Sequence, residues 1–243
     1  GFKYLDVSKY KEAEIIDTPR IKNIFLFPFN LVRILFLSIK SFYLLKNKNI
    51  DRIISTGGYM SLPLILAAKL INLDIYLIEP NLVLGRSNRY FLKSCKKIFC
   101  YTERIKNFPD HSEEKKIIIR PLVRKKIYDS VFNSEIRNKN KFSILIVGGS
   151  QGASIFDNDL KKSIVEISKK NSIKIIHQTN EKNISALKNF YSSNQIESTI
   201  FSFDKNFYKI VKQADLCITR AGASTLAELS FLNIPFIAVP LIN

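Results

Sequence analysis

Three stretches carry the residue types that hold anionic ligands: Ile53-Ile-Ser-Thr-Gly-Gly-Tyr59, Ile144-Leu-Ile-Val-Gly-Gly-Ser-Gln-Gly-Ala153 and Cys217-Ile-Thr-Arg-Ala-Gly-Ala-Ser-Thr225. In each, an apolar run runs into glycine and then into a helical pattern. Glycine lets the backbone approach a ligand, and free amides at a helix start favour a phosphate. The hydroxyls of Ser150, Ser224 and Thr225 can add hydrogen bonds. The second stretch is not a dinucleotide fingerprint, because Ser150 and Ala153 stand where GxGxxG needs glycine. No GxxxxGK[ST] is present, which excludes a P-loop nucleotidase. Three such loops spread over the chain suit a ligand with two phosphates, or two ligands.

Further groups suit the same chemistry. Glu79-Pro-Asn81 follows an apolar run, placing a carboxylate and an amide at a strand end. Glu228 falls one helical turn after Ser224 and Thr225, where it either holds ribose hydroxyls or is a solvated helix carboxylate. Arg124 either holds a base or phosphate or reaches into solvent. Asp157-Asn-Asp159 mimics a DxD metal motif, but it opens a helix, where two acids favour the positive end of the dipole. Cys95, Cys100 and Cys217 lack CxxC spacing and sit in apolar context, as buried free thiols do. His111 and His177 are too few for a metal cluster.

The elements that must position these groups alternate along the chain. Apolar runs predict strands at Arg52–Ser55, Ile75–Ile78, Lys97–Tyr101, Lys116–Ile119, Phe142–Val147, Ile173–His177, Thr199–Phe201, Leu216–Thr219 and Phe236–Val239. Helical patterns lie at Asn30–Leu45, Leu62–Ile71, Ser87–Lys93, Asp157–Lys169, Glu181–Tyr191, Lys205–Gln213 and Ser224–Phe231. Continuous apolar strands between helices indicate parallel sheets covered on both faces. The polar stretch at 121–140 is read as a junction, giving two α/β domains at 1–124 and 125–243. Neither a Met at the start nor a helix after the last strand is present, so both domains are expected to be incomplete.

Ile24–Leu45 approaches the roughly 20 apolar residues needed to span a bilayer. Arg33 and Lys40, seven residues apart and so on one polar helix face with Asn30 and Ser41 flanking them, argue against spanning. The segment is instead read either as a basic, aromatic-bearing helix for the membrane interface or as an unusually apolar packing helix.

Composition bounds the partners. The 243 residues hold 38 Lys+Arg and 21 Asp+Glu, a net charge of +17, with 46% hydrophobic and 24% charged residues. That hydrophobic share excludes disorder as the main state. The charge calls for nucleic acid, anionic lipid or phosphate-bearing molecules. Lysines are dispersed and no arginine-rich stripe, RNP-like or helix-turn-helix pattern appears, so nucleic acid is set aside.

Ser55-Thr-Gly-Gly-Tyr-Met-Ser-Leu-Pro63, Glu79-Pro-Asn81, Gly148-Gly-Ser-Gln-Gly-Ala153 and Arg220-Ala-Gly-Ala-Ser-Thr-Leu-Ala-Glu228 resemble, in order, the motifs of the MurG family. That family transfers N-acetylglucosamine from UDP-N-acetylglucosamine to undecaprenyl-pyrophosphoryl-N-acetylmuramyl-pentapeptide in peptidoglycan synthesis. The resemblance implies a GT-B fold, two Rossmann-like domains with the active site in the cleft, and inverting transfer with neither metal nor cofactor. It implies that Arg124, Ser150, the backbone around Phe203, and Gly222, Ala223, Ser224, Thr225, Leu226, Ala227 and Glu228 hold UDP, while Asn81 contacts the sugar. Gly57, Gly58 and Tyr59 would face the lipid-linked acceptor, with Gly148, Gly149, Gln151 and Gly152 supporting the diphosphate loop. The Ile24–Leu45 helix would meet the anionic cytoplasmic face of the bacterial inner membrane, as a peripheral contact.

The family's GGTGGH loop and its glutamine-bearing segment after the last strand are absent, and Ile78 stands where many members have histidine. The catalytic group is therefore unassigned, and this stretch alone is expected to be inactive. Another GT-B glycolipid glycosyltransferase, or a noncatalytic phosphate- or lipid-binding module, would fit the same residues.

Overall fold

The structure, a computed structural model, describes residues 14–19, 27–131, 141–148, 155–204 and 206–240. The chain divides into two compact units, Gly1–Arg120 and Pro121–Asn243.

In the first unit, β1 (Arg52–Ser55), β2 (Asp74–Glu79), β3 (Lys97–Cys100) and β4 (Lys116–Ile118) form a parallel sheet in the order β1-β2-β3-β4. Helices α1 (Phe27–Asn47), α2 (Leu62–Leu70) and α3 (Arg86–Phe91) accompany it. Pro63 at the start of α2 sits where a missing amide costs nothing. Ile53, Ile65, Leu77, Phe91 and Ile98 form the core, with Cys95 and Cys100 among them as free thiols.

Helix α1 turns its small polar residues inward. Asn30, Ile34, Ser38, Ser41 and Leu45 are buried, and the helix packs along α2. The Ser38 and Ser41 hydroxyls donate to the carbonyls of Ile34 and Leu37, both at 2.8 Å, so the close packing leaves them satisfied. Phe29, Val32, Leu35, Phe36, Ile39 and Tyr43 face outward, Phe36 at 66% exposure. Asn30 and Ser41 therefore do not belong to a solvated polar face with Arg33 and Lys40, as the sequence pattern suggested. Over Pro28–Asn47 the mean hydropathy of 1.3 and the 20-residue length would suffice to cross a bilayer. The inner face is taken up by α2.

In the second unit, β5 (Phe142–Val147), β6 (Ile173–Gln178), β7 (Glu197–Phe201), β8 (Leu216–Arg220) and β9 (Phe236–Val239) form a parallel sheet in the order β7-β6-β5-β8-β9. Alternate residues of β5 feed two cores. Ile144 and Ile146 pack with Ile164, Leu187 and Tyr191, while Leu145 and Val147 pack with Val211, Cys217 and Leu229. Both faces are thus covered, which is why β5 reads as a continuous apolar run. The strands are surrounded by α4 (Lys125–Val131), α5 (Lys161–Ser168), α6 (Ile184–Ser193), α7 (Phe207–Val211) and α8 (Ala223–Phe231).

Helix α4 lies inside the stretch read from sequence as a polar junction. Its Ile127 is fully buried, and Tyr128 stacks on Phe231 of α8 with ring centroids 5.7 Å apart. The strand order reverses between β5 and β8, whose ends align as Ile146 with Ile218 and Val147 with Thr219. In open parallel sheets that reversal opens a crevice at the carboxyl ends of the two strands, where ligands bind.

Candidate functional site

The glycine stretches at Gly148 and at Arg220–Gly222 leave the sheet from β5 and β8, on the two sides of the reversal. Gly148 is buried at the end of β5; Gly149, Ser150, Gln151 and Gly152 lie outside the described residues.

At the other side, Gly222 caps α8 in an extended conformation with no side-chain hydrogen bond. The Leu226 amide bonds the Gly222 carbonyl at 3.0 Å, leaving the amides of Ala223, Ser224 and Thr225 without intrahelical partners. Gly222 and Ser224 are exposed, and a Cβ at Gly222 would meet open space. Ala227 is buried and supports the turn from behind.

Glu228 is not a solvated carboxylate. It is buried, with its side chain 6% exposed, and it pairs with Arg124 in a two-pronged contact: Nε to Oε1 at 2.5 Å and a terminal guanidinium nitrogen to Oε2 at 2.7 Å. The Arg124 guanidinium also lies over the Phe207 ring, 5.7 Å from its centroid. Two fixed hydrogen bonds and an aromatic platform hold a planar cation in one orientation. The carboxylate keeps lone pairs for a further donor, such as a sugar hydroxyl. Phe203, half exposed, follows β7 on the loop that leads to α7. Arg220, at the end of β8, has its Nε and one terminal nitrogen buried without a hydrogen-bond partner. Sequence reasoning passed over it because an arginine before a glycine turn has no pattern of its own.

In the first unit, Glu79 is an organising group. Its carboxylate accepts from the Asn81 amide at 3.2 Å, Asn81 Nδ2 at 3.0 Å, the Gly85 amide at 2.7 Å and Asn88 Nδ2 at 3.0 Å. These bonds hold the loop after β2 and keep Asn81 exposed at the strand mouth. Asn88 also donates to the Ile78 carbonyl at 3.0 Å.

The same Asn88 packs against Gly57, where a Cβ would stand 2.6 Å from its Oδ1. Gly57 and Gly58 adopt φ of +77° and +83°, a left-handed turn that brings Tyr59 and Met60 to the surface. Ser61 Oγ donates to the Gly58 carbonyl at 2.8 Å and lies 3.3 Å from Ser87 Oγ. The turn and the Asn81 loop thus form one structure at the ends of β1 and β2. Asn88 escaped the sequence reading because its role depends on reaching back across the loop.

The Asp157–Asp159 pair behaves unlike two acids at a helix start. Asp159 is exposed, whereas Asp157 is buried and accepts from Thr179 Oγ1 at 2.7 Å and Asn183 Nδ2 at 2.6 Å. No group of three or more His, Cys, Asp or Glu among the described residues is placed to hold a metal. His177 is fully buried beside Asp157, and His111 is exposed. Burial pushes the thiols up, Cys217 to about 12 and Cys100 to about 11, the latter helped by Glu79. Such thiols are inert.

Residues 7–100 match the glycosyltransferase family 28 N-terminal domain and residues 143–243 the family 28 C-terminal domain. With two parallel α/β units and a crevice at the strand reversal, the chain is a family 28 glycosyltransferase of the GT-B fold. A Pelagibacter ubique protein named UDP-N-acetylglucosamine–N-acetylmuramyl-(pentapeptide) pyrophosphoryl-undecaprenol N-acetylglucosamine transferase is 43% identical over 245 residues, 99% of this chain and 67% of its own length. A Rickettsia canadensis protein of the same name is 35% identical over 242 residues, 98% of this chain and 68% of its own. The crystal structure of Acinetobacter baumannii MurG superposes with a TM-score of 0.67 at 25% identity, covering 87% of this chain and 59% of that one. The chain belongs to the MurG family. It spans about two thirds of the length of these curated relatives.

Proposed function

We propose that the protein transfers N-acetylglucosamine from UDP-N-acetylglucosamine to undecaprenyl-pyrophosphoryl-N-acetylmuramyl-pentapeptide, at the cytoplasmic face of the bacterial inner membrane. The observation that carries this reading is the Arg124–Glu228 pair beside the uncapped first turn of α8. Glu228 accepts the ribose hydroxyls, and Arg124 with Phe207 holds that carboxylate in register. The free amides of Ala223, Ser224 and Thr225, with the Ser224 and Thr225 hydroxyls and the glycine-rich segment 148–152 including Ser150, take the diphosphate. Leu226 and Ala227 fix the turn, and the backbone around Phe203 borders the base.

Asn81, held by Glu79, contacts the donor sugar, and Gly57, Gly58 and Tyr59 face the acceptor pyrophosphate. Transfer builds negative charge on the departing UDP, and dipoles already aimed at it stabilise that charge without rearranging. A base must take the proton of the acceptor hydroxyl; no residue here is assigned that role. What supports the acceptor is the shared name of the relatives. What supports the membrane surface is the outward apolar strip of α1 with Arg33 and Lys40; residues 24–26 of the predicted segment lie outside the described residues.

Calorimetric titration with UDP tests the nucleotide site. Binding by the chain, weakened about tenfold (~1.4 kcal/mol) by Glu228→Gln, is expected. Absence of heat at millimolar UDP, or a variant that binds like the parent, would overturn the assignment.

A further inference from the structure

Thr18 is buried in a stretch of chain without regular secondary structure. Its hydroxyl donates to the Met60 carbonyl at 3.2 Å, across 42 positions. The residue before it is tied to α1: a terminal nitrogen of Arg33 lies 3.4 Å from both the carbonyl and the carboxylate of Asp17. Asp17 and Thr18 therefore bridge α1 to the Tyr59–Ser61 turn that opens α2.

That turn depends on contacts from outside itself. Gly57 and Gly58 before it have φ of +77° and +83°, a conformation glycine enters and leaves readily. None of Tyr59, Met60 and Ser61 is buried. The Ser61 amide and hydroxyl both return to the Gly58 carbonyl, at 3.2 and 2.8 Å, which shapes the turn but does not aim it. Helix α3 braces one side, through Asn88 against Gly57 and Ser87 Oγ at 3.3 Å from Ser61 Oγ. Thr18 braces Met60 from the side of α1.

Met60 is 43% exposed, and a carbonyl on an exposed residue has water to fall back on. Losing the Thr18 bond therefore costs little stability. What the bond supplies is direction, because it fixes the middle of the turn relative to α1. A loop that must be ordered at binding gives up affinity, and one already held does not.

We propose that Thr18 is a positioning residue for the acceptor side: its hydroxyl holds the Tyr59–Ser61 turn ready for the lipid-linked pyrophosphate without touching it. This rests on the reading of Gly57, Gly58 and Tyr59 as acceptor-facing.

Cosedimentation of the full chain with vesicles of phosphatidylglycerol and phosphatidylethanolamine, with and without undecaprenyl pyrophosphate, tests it. The ratio of the two affinities separates the pyrophosphate-linked lipid from the membrane surface. The parent is expected to prefer the loaded vesicles. Thr18→Val, which keeps the shape and loses the hydroxyl, is expected to cut that preference about fivefold, the worth of one hydrogen bond. Thr18→Ser, which keeps the hydroxyl, is expected to retain it. Binding to plain vesicles and to UDP is expected to stay at the parent's level in both variants. Thr18→Ala carries the comparison if Thr18→Val does not fold.

A Val variant with the parent's preference, a Ser variant as weak as the Val variant, or an equal loss on plain vesicles overturns the positioning role. A parent chain that binds both kinds of vesicle equally is a separate result, which removes the acceptor reading and this inference with it.

Discussion

His177, with no exposed surface of its own, sits between Asp157 and the Tyr191 hydroxyl in a run of buried polar groups. Burial holds its imidazole at about 4, well below the ordinary 6.5; the Asp157 carboxylate opposes that shift and the Lys161 charge adds to it. The neighbouring Tyr191 hydroxyl is pushed up by the same burial. An unfolded chain takes up a proton on this histidine near pH 6.5, the folded chain only near pH 4. Between those values the unfolded state binds more protons, so stability rises with pH and levels off above the upper one. The histidine is expected to contribute a loss of roughly 3 kcal/mol on acidification through that window. Urea midpoints measured across it should fall more steeply for the parent than for His177→Asn. Parallel profiles would show that the imidazole is not held neutral.

At the scale of elements, the turn after β1 makes a sharp comparison. Gly57 and Gly58 both have positive φ, but only Gly57 has a neighbour where a Cβ would go, with Asn88 Oδ1 at 2.6 Å. Gly58→Ala therefore carries backbone strain alone, about 1 kcal/mol, whereas Gly57→Ala must also displace a buried side chain and is expected to cost about 2–3 kcal/mol. Denaturant midpoints of the two variants decide it, and equal losses would mean that Asn88 yields freely.

The same turn shows how far pattern reading reaches. The glycines announce a turn at a strand end, and that is where it lies. The contact that makes one glycine less replaceable than the other comes from α3, some thirty residues later. Helix α1 shows the opposite case, where periodicity marked the helix but misjudged its inner face. Small polar residues look solvated in sequence, yet Ser38 and Ser41 pack inward because each can bond its own helix backbone.

For the whole molecule, the charge of +17 and the outward strip of α1 point the same way. Interfacial helices combine apolar insertion with attraction to anionic lipid. The chain is expected to sediment with vesicles of phosphatidylglycerol and phosphatidylethanolamine, less at high salt. Joint replacement Phe36→Ser and Ile39→Ser removes apolar area equivalent to about 1.5–3 kcal/mol per side chain, so binding should fall at least about tenfold. Sedimentation unchanged by those substitutions would assign the attachment to charge alone, or to another face.

The sequence by itself determined the two parallel α/β halves, the nine strands seen among the described residues and the glycine turn after β1. Those features are local, since a strand buried on both faces must be apolar throughout and a turn with positive φ favours glycine. The motif order also carried the family. Only the tertiary structure decided which polar groups meet. Arg124 and Glu228 are 104 positions apart and become one ion pair. Asp157 looked like a helix-start acid and became the centre of a buried network instead. Sequence spacing reports neighbours within one element. The partner of a buried charge is chosen by the packing of elements far apart in the chain, where an unmet hydrogen bond is costly enough to require one.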